Sequence, residues 1–277
     1  MDKRLIAGIA ALLIVGLGAG GVYWWRQRSQ APVAEPAAAP AVAAAPAVPT
    51  VPAPAEPVIR HPIDSPTATP APGAETSLDR AALTGLLGQK AVLGFLQLDG
   101  FVPRLVTTVD NLARAHAAPR LWPVNPIPGR FTVERSGDDE LVAAANRQRY
   151  APFVQFVEAI DTPRAVALYR RHYALFQQAY GDLGYPHGYF NDRLVEVIDH
   201  LLATPEPAGP VKVRLTEVKG PVAPTQPWVR YEFADPGLEA LSSGQKMLVR
   251  MGPDHARRLK AKLAELRRLV ASGAPSR

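Results

Sequence analysis

From about residue 76 onward, apolar side chains recur at helical spacing in one segment after another. Ser77 opens a pattern through Leu83, Leu86 and Leu87 that pauses at Gly88, resumes through Phe95 and Leu98, and stops at Asp99-Gly100. Phe101, Leu105, Thr108, Val109 and Leu112 then lie on one face of a second helix. Pro103 is tolerated there because it falls in the first turn, where a missing N–H removes no intrahelical bond. Residues 119–129 hold too many prolines for a helix or a central strand and predict a loop carrying Trp122. Asp138-Asp139-Glu140 reads as acid at a helix N-terminus, where the dipole favours it. The helix that follows meets Pro152, kinks there, and buries Phe153, Phe156, Val157 and Ile160. Thr162, with Pro163 behind it, is expected to cap a helix whose stripe is Val166, Tyr169, Tyr173, Phe176 and Tyr180. After a glycine-bearing loop, Phe190, Leu194, Val197, Ile198 and Leu201 mark another helix, closed by Thr204-Pro205.

Two later runs alternate with period two: Val211, Val213 and Leu215 against Lys212 and Arg214, and Val229, Tyr231 and Phe233 against Arg230 and Glu232. They predict a hairpin with a long loop. Helices over residues 238–250 and 253–270 complete the chain. The expected fold is mainly α: one helical domain, residues 76–272, with a small antiparallel β-hairpin.

The first 75 residues follow different rules. Residues 1–4 are a short tail, and residues 5–25 hold no charged side chain, about the ~20 needed to cross a bilayer core. Lys3 and Arg4 precede this run and Arg26 and Arg28 follow it, while Tyr23, Trp24 and Trp25 stand where an interfacial aromatic belt would sit. The one small-x-small site beyond, Ser29-Gln30-Ala31, is followed directly by Pro32, so an uncleaved transmembrane helix is expected rather than a cleaved signal. Lys3, Arg4 and the free amino group place the N-terminus in the cytoplasm and the domain outside. Residues 26–75 are read as a disordered Pro/Ala-rich linker that adds nothing to the fold: residues 31–72 alone contain twelve prolines and fourteen alanines.

Charge sharpens this picture. Residues 1–75 hold five basic and five acidic side chains, so the net charge of +6 lies entirely in the domain. The last helix concentrates it, with Arg257, Arg258, Lys260, Lys262, Arg267 and Arg268 against Asp254 and Glu265. Such a face attracts anionic partners, and a membrane tether argues against nucleic acid among them. The absence of cysteine excludes disulfides, thiolate metal sites and a cysteine nucleophile.

The segment Ala179-Tyr180-Gly181-Asp182-Leu183-Gly184-Tyr185-Pro186, continuing through Phe190-Asn191-Asp192-Arg193 and Ile198-Asp199-His200-Leu201-Leu202-Ala203-Thr204-Pro205, resembles the bacterial domain-of-unknown-function family 3014. That family is similar in layout: a membrane segment, a Pro/Ala spacer, then a domain of this size. The resemblance covers most of residues 78–270 and implies a Gram-negative envelope protein. It brings no catalytic residues.

Candidate chemistry is sparse. Ser243-Gly244-Gln245-Lys246 matches the S-x-x-K of penicillin-binding enzymes, but too little chain follows to hold their downstream elements. The six histidines show no metal-ligand spacing, and His172 and His200 flank apolar stripes as structural groups would. The carboxylate pairs Glu158/Asp161 and Glu196/Asp199 each share one helix face and read as solvated. The best concentration of recognition-type side chains is Tyr185, His187, Tyr189, Asn191 and Arg193, where a loop meets a helix start whose free N–H groups attract anions. Asn191 is expected to be the N-cap of that helix. No catalytic residue, metal or cofactor is expected. The reading is a single-pass inner-membrane protein, held in the bilayer by residues 5–25, whose periplasmic domain is a binding or scaffolding module. Its partner is an anionic envelope polymer or another envelope protein. A cell-wall-active hydrolase or other envelope enzyme is the alternative.

Overall fold

The computed structural model describes residues 58–63, 78, 80–216 and 226–271. The expected transmembrane helix, residues 5–25, and most of the expected linker lie outside them. No described helix is long and apolar enough to cross a membrane.

The domain is mainly helical. Helix α1 (Arg80–Leu87) and α2 (Gln89–Phe95) are split at Gly88, whose φ of +82° a Cβ would disfavour. Helix α3 (Phe101–Leu112) keeps Pro103 in its first turn, as its spacing predicts. Helix α4 (Ala145–Ala159) runs through Pro152 without ending there. The single stripe from Val166 to Tyr180 divides into α5 (Thr162–Arg171) and α6 (Tyr173–Asp182), because the backbone leaves helical geometry at His172. The cap of α5 is Asp161 and not Thr162: its carboxylate accepts the Arg164 N–H at 2.9 Å. Helix α7 (Phe190–Leu202) follows, then a short α8 (Pro236–Glu239), α9 (Ser243–Met251) and α10 (Pro253–Val270).

The β element is larger than the predicted hairpin. It is a four-stranded antiparallel sheet in the order β1-β2-β3-β4: β1 (Val133–Ser136), β2 (Asp139–Val142), β3 (Lys212–Leu215) and β4 (Tyr231–Phe233). The predicted pairing survives as Val213 opposite Phe233 and Leu215 opposite Tyr231, although Val229 falls in a 3-10 turn before β4. The strands that sequence reading missed are β1 and β2, since Asp138-Asp139-Glu140 forms a hairpin turn and strand, not a helix start. Gly137, at φ +63°, makes the tight reversal, and the acids meet cations across the sheet: Asp139 pairs with Lys212 at 2.5 Å.

Helix α10 is the spine. It packs on α4, α5, α7 and α9, and Val154, Val197, Leu201, Leu248, Met251, Ala256 and Leu259 fill the space between them. On the other side of α7, the buried Val102 and Val106 of α3 meet Tyr173, Phe176, Tyr180 and Phe190. Tyr169 meets Phe176 edge-on at 5.0 Å and Tyr173 at 5.5 Å, the perpendicular arrangement that aromatic quadrupoles favour.

Gly244 sits where α3, α7 and α9 converge. A Cβ there would lie 2.6 Å from Leu201 Cδ2 and 2.9 Å from the Leu112 carbonyl oxygen. Alanine gains about 1 kcal/mol of helix propensity, but overpacking against backbone costs about 1–3 kcal/mol, and the carbonyl cannot rotate away as a side chain could. Gly244→Ala should therefore lower the melting temperature by roughly 3 °C. An unchanged or raised Tm in a thermal melt would show that the helices move apart without cost.

Candidate functional site

The loop between α6 and α7 is set by contacts that leave little freedom. Tyr185 stacks on Tyr180 with ring centroids 4.6 Å apart, and a Cβ on Gly188 would meet the Tyr180 ring at 2.7 Å. Of the five candidate residues, Tyr185 and Arg193 converge on one group, the buried Asp110 of α3. Arg193 Nε donates to Asp110 Oδ1 at 2.9 Å and its Nη2 to the Asp110 carbonyl at 3.1 Å, while Nη1 reaches Glu196 at 2.9 Å. Arg114 adds a second guanidinium to Asp110 at 2.7 Å and also donates to the Tyr185 hydroxyl. Burial works against the Arg193 charge, but Glu196 and Asp110 outweigh it and hold its pKa above the ordinary arginine value. His187 is exposed and joins neither this cluster nor the next.

Tyr189 and Asn191 serve a different contact. Asn191 is not the helix cap; α7 begins at Phe190, and Tyr189 occupies the cap position without a side-chain bond to the helix. Asn191 is instead fully buried. Its Nδ2 donates to the Val270 carbonyl at the end of α10 and to the His61 carbonyl, both at 2.8 Å, and its Oδ1 accepts from the Tyr169 hydroxyl at 3.2 Å. Beside it, the Asp192 carboxylate accepts two successive backbone N–H groups, Arg60 at 2.9 Å and His61 at 2.7 Å. The Tyr189 hydroxyl accepts the Ile63 N–H at 2.8 Å, and Ile63 packs on the aromatic cluster beneath.

Residues 58–63 therefore belong to the fold, which corrects the expectation that the whole of residues 26–75 adds nothing to it. The physical reason is compositional: this stretch, Val58-Ile59-Arg60-His61-Pro62-Ile63, contains no alanine and offers an aliphatic anchor and free backbone donors. Burial pushes the Tyr169 and Tyr173 phenols well above their ordinary pKa, with hydrogen bonding to Tyr189 adding to it at Tyr173. These hydroxyls thus stay neutral and act as fixed hydrogen-bonding groups.

The basic face of α10 is largely matched by carboxylates of the domain. Arg258 pairs with Glu158 and Arg267 with Asp199. Arg257 meets Asp254 at 2.7 Å, Lys262 meets Glu265 at 3.1 Å, and Lys260 reaches Glu206 at 3.4 Å. Arg268 is exposed, and Glu265 is held below the ordinary carboxylate range by hydrogen bonding to Thr162 and Lys262, with Arg268 adding to it. Both carboxylate pairs read as solvated are thus bonded: Asp199 and Glu158 are held below the usual carboxylate range by Arg267 and Arg258, Asp161 caps α5, and Glu196 holds Arg193.

Ser243-Gly244-Gln245-Lys246 has a structural role as well. The Ser243 hydroxyl donates to the Asn111 carbonyl at 2.9 Å, and Lys246 Nζ pairs with Glu239 at 2.7 Å, so neither is poised for the other. A cleft of about 380 Å³ runs between Glu134, the Ala143–Arg147 backbone region and residues 205–211. Its carboxylates are engaged, Glu134 by the Ala144 N–H at 2.9 Å and Glu206 by Lys260 and Arg257. Sequence reasoning missed Asp110, Asp192 and Gln177, which binds the Phe190 N–H at 2.9 Å and the Gly188 carbonyl at 2.7 Å. Asp110 had a signal: it continues the row Val102, Val106 at i+4 and i+8, a charge on a buried stripe.

The model of the family described as protein of unknown function (DUF3014) matches residues 101–267, and the chain belongs to that family. No curated protein and no solved structure matches it.

The Asp110–Arg193 pair can be tested directly. A buried charge left wholly unpaired costs roughly 3–5 kcal/mol. Arg193→Met leaves Asp110 with Arg114 as its remaining cation, so it should destabilise by less than that, on the order of 2 kcal/mol. The double variant Asp110→Leu/Arg193→Met should lose less than the sum of the two single changes. Additive losses in denaturant titrations would show that the two groups do not depend on each other.

Proposed function

We propose that this DUF3014 member is a membrane-anchored envelope protein, held by residues 5–25 with its helical domain on the periplasmic side, and that the domain is a binding or scaffolding module. The observation that carries the binding reading is the corner formed by Tyr189, Asn191 and Asp192, where three side chains address the backbone of a polypeptide segment that bends at Arg60 and His61. Recognition through backbone groups is how modules take peptides of varied sequence. The matched ion pairs on α10 favour a polypeptide over a polyanion as partner, since most of the cations there already face a carboxylate. The enzyme alternative finds less support: the serine, lysine and carboxylates that could do acid–base work are bonded to structural partners, and a catalytic site needs such groups converging on open space.

Topology is the first test. A reporter that is active only in the periplasm, fused after Arg277, should be active, and a reporter active only in the cytoplasm should not. The reverse pattern would place the domain on the cytoplasmic side and overturn the envelope reading.

A further inference from the structure

Asp192 stands in the first turn of α7, and both of its carboxylate oxygens accept N–H groups from adjacent residues of residues 58–63. A carboxylate spanning two consecutive amides is a geometry that any polypeptide can satisfy except where proline removes a donor. Pro62 follows His61 immediately, and its fixed φ stiffens the approach of Ile63 to the aromatic floor. The Asn191 amide takes the intervening His61 carbonyl, and the Tyr189 hydroxyl takes the Ile63 N–H. Backbone donors and acceptors at three successive points, with one aliphatic side chain beneath, define a peptide subsite and not a casual surface contact. The segment itself stays near the surface: Val58 and Ile59 are exposed.

We propose that this corner is an exchangeable peptide-binding site whose resident ligand is the chain's own residues 58–63, bound in cis. An incoming ligand would be a segment that bends at two consecutive residues with free N–H groups, followed by proline and an aliphatic residue. Cis occupancy follows from chain length. Ile63 and Leu78 pack on the same aromatic cluster, and residues 64–77, fourteen in number, could span up to about 45 Å, more than such neighbours need. A segment tethered this closely competes at an effective concentration on the order of millimolar, so the site is normally filled by its own chain and opens to a partner that binds better. On the anchored reading proposed above, release would also add residues 58–63 to the tether, on the order of 20 Å of reach at ~3.1 Å per residue.

Residue-level hydrogen exchange on the full-length chain in detergent tests this. The Arg60, His61 and Ile63 amides should exchange roughly tenfold or more slowly than free-chain rates. His61→Pro removes one donor to Asp192 from the segment side and leaves every domain residue intact. It should return the Arg60 and Ile63 amides to free-chain rates while the domain still melts in one cooperative transition, lowered by no more than a few degrees for the His61 and Ile63 contacts it gives up. A labelled synthetic peptide of residues 57–64 should bind the His61→Pro chain roughly tenfold or more tightly than the wild type, because the resident segment no longer competes. Free-chain exchange in the wild type, or equal peptide binding by both chains, would overturn the proposal. Protection that appears only at high protein concentration would also overturn it, in favour of exchange between two copies. None of these readouts depends on which side of a membrane the domain lies, so their failure is separable from failure of the topology.

Discussion

The side-chain amide of Asn191 is the point on which the other contacts depend. A fully buried amide must find partners for two N–H groups and a carbonyl, because leaving any of them unmade costs about 1–3 kcal/mol. Here the partners come from two helices and the docked segment. Tyr169 of α5 supplies a hydroxyl, Val270 supplies an orphan carbonyl from the last turn of α10, and His61 supplies a second carbonyl. The Asn191 backbone N–H, itself unsatisfied within α7, donates to Tyr173 of α6 at 3.3 Å. One residue thus fixes how the start of α7 meets the end of α10, and the spine helix takes its place among α4, α5 and α9 from there. The requirement also explains why chain outside the helical body is drawn in: the second amide hydrogen needs an acceptor, and His61 is where it finds one.

The docked segment is held near balance. Ordering six backbone residues costs on the order of 1–2 kcal/mol each. Two bonds to a charged acceptor contribute about 1.5–3 kcal/mol each and two neutral ones about 1 kcal/mol each. Packing the half-buried Ile63 adds about 1 kcal/mol. Gains of about 6–9 kcal/mol and costs of about 6–12 kcal/mol agree to within a few kcal/mol, so the segment is neither an integral strand nor a loose tail. Local opening with so small a net free energy belongs to the low end of the range seen within folded domains, where binding elements are drawn from.

How much of this was legible in the sequence depended on whether the signal was local. Periodicity placed α3, α7 and α10 because each carries a clear apolar stripe, and the alternation of residues 211–215 with Tyr231 and Phe233 revealed β3 and β4. It failed at β1 and β2, since four-residue strands with acids at the turn look like a charged helix start until Gly137 is known to adopt a positive φ. Within the candidate site, the loop and helix start stood out by composition, but their division of labour did not. Tyr185 and Arg193 answer to Asp110, seventy-five and eighty-three residues away, and Tyr189 and Asn191 answer to a segment more than one hundred and twenty residues away. Spacing along one helix cannot report partners of that kind. A buried row interrupted by Asp110 and an alanine-free stretch inside an Ala/Pro run were the only local traces of them.

Charge shows the same limit from the other direction. Six cations on one helix suggest a basic patch, yet the field at a surface depends on where the counter-charges sit, and within about a Debye length of 8–10 Å paired charges largely cancel. Glu158 reaches Arg258 from α4, Asp199 reaches Arg267 from α7, and Glu206 lies beside Lys260 and Arg257 from the loop after α7. Exposed pairs of this kind contribute little to stability individually, typically about 0–1 kcal/mol. What they do here is set the character of the outer face of the spine helix, turning a run of positive charge into alternating sign. The groups at the start of α7 lie outside these pairs: Tyr189, Asn191 and Asp192 hold the backbone of residues 60–63.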